Sequence, residues 1–253
     1  MRKIIVANWK MNPKTGKEAD TLFAKIKVSA RRRAKKAQVV VCPPALFIER
    51  LVKKAQNVRV GAQDAFWKKE GAFTGSISPA MIKSTGATHI ILGHSEHRAR
   101  GDTNETINKK VLLALEYRLT IILCVGEIVR DEEGSYLTFI AEQLLTALRG
   151  VTPVLFKNII IAYEPVWAIG ENSKGADTPA GFLEIALYIK KTLAELVGKE
   201  KALTVAVLYG GSVGVHNAYE FLHLGKADGL LVGRASLNPK LFSDIISYTD
   251  NTQ

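Results

Sequence analysis

Eight short runs rich in Val, Ile and Leu recur along the chain: KIIVAN, QVVVCP, VRVGAQ, THIILGH, TIILCVG, NIIIAYE, LTVAVLYGG and DGLLVGR. A strand with one face in water alternates apolar and polar residues. Runs that stay apolar almost throughout predict strands buried on both faces, as in a parallel sheet. Between them lie segments of helical spacing. Residues 106–118, with Leu119 just beyond, place Ile107, Val111, Leu112, Leu115 and Leu119 on one stripe. Residues 181–197 do the same with Leu183, Leu187, Ile189, Leu193 and Leu196 or Val197. Ser78-Pro79, Thr178-Pro179 and Asn238-Pro239 read as helix starts. Eight strand-and-helix units without a long linker predict an α/β chain folded as one (β/α)8 barrel domain over residues 1–253. A doubly wound open sheet is the competing architecture. It usually carries a glycine fingerprint after its first strand, where this chain has NWKMNPKTG.

Composition excludes several classes. Hydrophobic residues make up 47% and charged residues 23%, as in ordinary globular proteins. The apolar runs are far shorter than the roughly 18 residues of a membrane span. The first residues offer only four consecutive apolar side chains, Ile4 to Ala7, which is no secretory signal. Cys42 and Cys124 sit in strand-like runs and form no disulfide framework, which suits a reducing cytoplasm. The net charge of +11 raises nucleic acid as a partner. The densest basic run, ARRRAKKAQ, follows a helical segment and carries no interleaved aromatics, so a solvated helix end is the better reading.

In a barrel of this kind the site lies where the strands end. The runs close on Asn8-Trp9-Lys10, Gln63-Asp64, His94-Ser95-Glu96, Gly126-Glu127, Glu164, Gly210-Gly211-Ser212 and Gly233-Arg234. On one rim these supply a base, an acid/base histidine, a cation, an amide and two glycine turns. They offer no metal-ligand spacing and no Ser or Cys nucleophile paired with a base. In GHSE a glycine precedes His94 and a helix is expected just beyond, an arrangement that disfavours an imidazolium. His89, His97, His216 and His223 read as structural. Two glycine turns after the last two strands suit a phosphate bound by backbone N–H groups.

These stretches together resemble the triosephosphate isomerase family over essentially the full length. The resemblance is carried by ANWKMN at 7–12, GAFTGSISPAMI at 71–82, GHSEHR at 93–98, CVGE at 124–127, AYEPVWAIG at 162–170, YGGSV at 209–213 and DGLLVGRASL at 228–237. It implies the (β/α)8, or TIM, barrel. It also implies the cofactor-free and metal-free interconversion of dihydroxyacetone phosphate and D-glyceraldehyde 3-phosphate, in glycolysis and gluconeogenesis. By the same resemblance Glu164 matches the base, His94 the neutral electrophile, Lys10 and Asn8 the groups that hold substrate, and Glu96 the acid beside the lysine. Gly170, Ser212, Gly233 and Arg234 match the phosphate site. Pro165 and Trp167 match the stiff start of a lid, and Ile169 and Leu231 its apolar clamp over the base. The family forms homodimers, which puts Gln63, Phe73 and Thr74 at an interface, with Thr74 near Asn8 and Lys10 of the partner subunit. A carboxylate in water is a weak base toward carbon, and one withdrawn from water is stronger because its charged form loses solvation.

The chain also departs from the family. Residues 171–177, ENSKGAD, are longer and more acidic than the usual lid end, Arg234 stands where glycine is usual, and Asp64 and His97 replace Asn and Arg. Two other readings compete: a barrel acting on a different small phosphorylated sugar, and a barrel kept for binding nucleic acid through its basic surface. The joint presence of Asn8, Lys10, His94 and Glu164 argues against the first, and the base, lid and both phosphate turns would have no purpose in the second.

Overall fold

A computed structural model of the chain describes residues 2–34, 37–168 and 177–250. The strands are β1 (Lys3–Asn8), β2 (Ala37–Cys42), β3 (Val58–Ala62), β4 (His89–Leu92), β5 (Thr120–Val125), β6 (Ile159–Tyr163), β7 (Ala206–Tyr209) and β8 (Gly229–Val232). Each corresponds to one of the apolar runs. They are parallel, pair in sequence order, and close as a barrel through β8 against β1, with Ile4 opposite Gly229 and Val6 opposite Leu231. The helices are α1 (Gly16–Arg33), α2 (Ile48–Val52), α3 (Pro79–Ser84), α4 (Ser95–Arg98), α5 (Asn104–Glu116) and α6 (Ser135–Ala147). α7 (Pro179–Val197), α8 (Lys199–Thr204), α9 (Val215–His223) and α10 (Pro239–Ser247) complete them.

The apolar runs conceal a period of two. Val6, Val40, Ile91, Ile122, Cys124, Ile160, Ala162, Leu208 and Leu231 fill the barrel interior as one cluster. Their chain neighbours, among them Ile5, Val39, Ile90, Ile121, Ile161 and Val232, belong to the larger core between strands and helices. Side chains alternate across a strand, so both faces of each run are buried in different company. Each fully buried aliphatic side chain contributes about 1.5–3 kcal/mol of transfer free energy.

The three Pro-marked helix starts form as expected. Ser78, Thr178 and Asn238 are the N-caps of α3, α7 and α10, and each side chain accepts a first-turn backbone N–H. The basic run ends α1, with Arg31, Arg32 and Arg33 in its last turn, where cations suit the helix dipole. The helical stripes need correction. In α7 the buried face is Phe182, Ile185, Ala186, Ile189 and Leu193, whereas Leu187 is 62% exposed. That helix is apolar on more than one side, so several phases fit its sequence and packing against the barrel selects one. In α5 Leu113 and Ala114 are buried and Leu112 only half so, for the same reason.

His89 opens β4 and is buried as a neutral ring. The Gln38 side-chain amide lies 3.0 Å from its Nε2 and Thr88 Oγ1 lies 2.7 Å from Nδ1. Burial, reinforced by the nearby charge of Arg59, holds its pKa down to about 4. Between there and the unfolded value near ~6.5 the unfolded chain takes up a proton that the folded chain refuses. This stability is complete above the unfolded value and is lost as pH falls through the folded one, by about 3 kcal/mol for this group. Urea unfolding at pH 7 and pH 4 should show a larger loss for the wild type than for His89→Asn. Equal losses would remove His89 from the account.

Candidate active site

The period of two carries the polar residues to one end of the barrel. Continuing the inward phase past the strand tips, Val6 is followed by Asn8, Ala162 by Glu164, Cys124 by Gly126, Leu208 by Gly210 and Leu231 by Gly233. Two side chains and three glycines thus cap the interior. The glycines leave room: a Cβ on Gly210 would stand 3.1 Å from Glu164 Cγ, and one on Gly126 only 1.9 Å from the Glu164 carbonyl oxygen. A cavity of about 670 Å³ opens here, lined by Asn8, Lys10, His94, Glu164, Ser212 and Gly233 among others. Leu231, 3% exposed, lines it too, and so does the exposed Arg234.

Glu164 is 3% exposed. Its Oε2 accepts the Ser95 backbone N–H at 3.0 Å, and its Oε1 lies 3.1 Å from His94 Nε2. His94 is the N-cap of α4, and its Nδ1 accepts the Glu96 backbone N–H at 3.2 Å. An Nδ1 that accepts cannot carry a proton, so the ring is neutral and its one N–H is at Nε2, facing the carboxylate and the cavity. Gly93, at φ +71°, turns the chain between β4 and this cap, a conformation that favours glycine.

Lys10 has a positive φ of 52°, which is costly outside glycine, and its neighbours hold it there. Its N–H donates to Asn8 Oδ1 at 3.0 Å, and its carbonyl accepts from Gln63 Nε2 at 2.8 Å. Its ammonium donates to Glu96 Oε1 at 2.7 Å, with both side chains partly exposed. Burial alone would raise the Glu96 carboxyl; the hydrogen bond and charge of Lys10 outweigh it and hold it below the usual range.

The remaining expected residues fall as follows. Pro165 is buried and begins a short turn in which the Ala168 N–H donates to its carbonyl at 2.9 Å. Trp167 Nε1 donates to Glu127 Oε1 at 2.8 Å, and Ser212 Oγ donates to the Ala168 carbonyl at 2.7 Å. Gly233 sits beside Lys10 and leads into the turn Arg234–Leu237. Ile169 and Gly170 lie outside the described residues. Gln63 Nε2 donates to the Lys10 and Cys42 carbonyls, both at 2.8 Å, while Phe73 and Thr74 are exposed. Sequence reasoning left Ser95 and Glu127 without roles. Ser95 acts through its backbone, which no side-chain pattern reports. Glu127 closes the fifth run, and its position there is the signal.

Among the described residues Asp64, His97 and Asp102 are close enough to share a cation. The Lys110 ammonium already supplies one, 2.9 Å and 3.0 Å from the Asp64 oxygens and 2.6 Å from Asp102. No helix among the described residues is long and apolar enough to cross a membrane.

The arrangement can take a proton from a carbon atom beside a carbonyl and stabilise the resulting oxyanion with Nε2–H and an ammonium. Residues 3–249 match the family described as Triosephosphate isomerase. The chain is similar to the triosephosphate isomerase of Caldanaerobacter subterraneus subsp. tengcongensis, 43% identical over 98% of this chain and 99% of that one. It is also similar to that of a Thermoanaerobacter species, at 42% over 98% and 99%. The same holds for Dictyoglomus turgidum, at 41% over 97% and 98%.

Proposed function

The chain belongs to the triosephosphate isomerase family, and on that premise we propose that Glu164 is the base of its isomerisation. The reaction is the interconversion of dihydroxyacetone phosphate and D-glyceraldehyde 3-phosphate, a step of glycolysis. Glu164 takes a proton from the carbon beside the carbonyl. The C–H electron pair forms the carbon–carbon double bond, and the carbonyl oxygen becomes an enediolate oxyanion. His94 Nε2–H and the Lys10 ammonium meet that oxygen, and Asn8 orients it. The carboxylic acid then returns its proton to the neighbouring carbon, with His94 moving the hydroxyl proton between the two oxygens. The phosphate is received by backbone N–H groups around Ser212, Gly233 and Arg234, whose guanidinium adds charge at the cavity mouth. Leu231, which lines the same cavity, supplies apolar cover beside the base. The single observation that carries the reading is the buried Glu164 carboxylate set against a neutral His94 whose N–H points into the same cavity.

Turnover of glyceraldehyde 3-phosphate beside ribose 5-phosphate tests the substrate. Efficient conversion of the triose and none of the pentose is expected. The opposite preference would replace the reading with a barrel for a longer sugar.

The protein works as a homodimer in the cytoplasm. Exposed Phe73, Ile77, Met81 and Met11, at 41%, 38%, 55% and 91%, support the dimer, as does a cleft of about 790 Å³ beside Lys10 able to take a protruding loop. Thr74→Arg should convert dimer to monomer in light scattering and lower kcat about tenfold or more, since Thr74 packs near Lys10 of the partner subunit. A fully active monomeric wild type would contradict this.

A further inference from the structure

Buried side-chain polar atoms without a hydrogen-bond partner are uncommon in folded proteins. Among the described residues six are found, and five belong to Glu127, Arg130, Asp177 and Tyr209. The first three form one charged cluster beside the active site. The Glu127 side chain is 1% exposed and that of Asp177 2%. Arg130 lies between them, its Nε 3.6 Å from Glu127 Oε1 and its Nη1 3.8 Å from Asp177 Oδ1. Its guanidinium also lies 5.6 Å from the centre of the Trp167 ring and 4.9 Å from that of Tyr136.

Each partner of Arg130 holds a different piece of the chain. Glu127 holds the stretch that follows the base: its carbonyl accepts the Val166 N–H at 2.9 Å, and its Oε1 accepts both Trp167 Nε1 at 2.8 Å and the Tyr163 hydroxyl at 2.7 Å. Asp177 holds the start of α7, accepting the Thr178 N–H at 2.8 Å, and Thr178 is the cap of that helix. Two carboxylates this deeply buried are unfavourable without a cation between them. A guanidinium can face both and lie across an indole at once, which an ammonium cannot.

We propose that Arg130 is a positioning residue for the isomerisation: pairing with Glu127 and Asp177 across Trp167, it fixes the chain leaving β6 relative to the chain entering α7, and so holds Glu164 in its working place. The inference rests on Glu164 being the base. It assigns a purpose to Asp177, the last residue of the unusual acidic stretch.

The test uses Arg130→Met, Arg130→Lys, Asp177→Asn and the Arg130→Met/Asp177→Asn pair in the full chain. Two quantities are read: steady-state kinetics, and the indole N–H resonance of Trp167, assigned among the three tryptophans by Trp167→Phe. Arg130→Met should move that resonance and lower kcat about tenfold or more with KM little changed, as misplacement of a reacting group does. Arg130→Lys should not restore it. Asp177→Asn should act in the same direction, and the double variant should be no worse than the poorer single one, because both break one arrangement. A folded Arg130→Met with an unmoved resonance, with kcat within twofold of wild type, or with losses that multiply in the double variant overturns the proposal. Should Arg130→Met fail to fold, Asp177→Asn with wild-type kcat and an unmoved resonance does the same. Failure of the base assignment is a separate result: it appears as undiminished activity in Glu164→Gln, whatever the indole reports.

Discussion

Glu164→Gln will lower kcat by roughly three orders of magnitude, within the range expected when a general base is lost. The substitution preserves size and keeps one oxygen to accept the Ser95 N–H at the present 3.0 Å. It removes the only group at that position able to take a proton from carbon. With that oxygen on Ser95 the amide NH2 faces the His94 Nε2–H, which loses its acceptor, but Lys10 and the phosphate site are untouched, so KM should change far less than kcat. Glu164→Asp should fall between the two proteins. It keeps the charge but shortens the side chain by one methylene, and the neutral His94 Nε2–H now 3.1 Å away would lose its partner. Thermal unfolding of the three proteins checks that the losses are not losses of fold.

Gly126→Ala should produce the second-largest effect, through the backbone. Its Cβ would lie 1.9 Å from the Glu164 carbonyl oxygen, well inside contact distance, and the partner is backbone that cannot rotate away. Gln143 clamps Gly126 from the other side, with Oε1 accepting its N–H at 2.8 Å and Nε2 donating to its carbonyl at 3.2 Å. The tips of β5 and β6 must therefore part. Overpacking of this kind costs about 1–3 kcal/mol or more, roughly 2–4 °C in Tm per kcal/mol in a chain of this size. Displacing Glu164 by about 1 Å should also cost about a hundredfold in kcat. Gly229→Ala separates the two effects. Its Cβ would lie 1.8 Å from the Ile4 carbonyl oxygen, but at the start of β8, away from the cavity. It should lower Tm as much while leaving the kcat of the folded protein near wild type. Equal kcat losses in both variants would mean that strain anywhere in the barrel disables it, and that the tip of β6 has no special place.

Much of this was legible in the sequence because strands buried on both faces write themselves as unbroken apolar runs. Ile159 to Tyr163 announces β6 and where it stops. The parity that aims Asn8 and Glu164 inward is present in the same letters, yet hidden, since interior and exterior positions are both apolar and only the closed barrel tells them apart. α7 is the counterexample. With apolar residues around much of its circumference, its buried phase was set by which side met the barrel, and Leu187 went to solvent. The contacts that hold the base were the least readable. Ser95 contributes a backbone N–H, and Arg130 and Asp177 are 47 positions apart, on segments with no shared pattern.

The central claim is that Glu164 carries a proton between neighbouring carbons of a triose phosphate. Its most direct test is the conversion of glyceraldehyde 3-phosphate by wild type and Glu164→Gln in D2O, followed by proton NMR. The account predicts rapid formation of dihydroxyacetone phosphate by the wild type, its receiving carbon holding either the carried proton or the solvent deuterium exchanged for it on the carboxyl, and almost no conversion by the variant. Conversion by Glu164→Gln at the wild-type rate would contradict it.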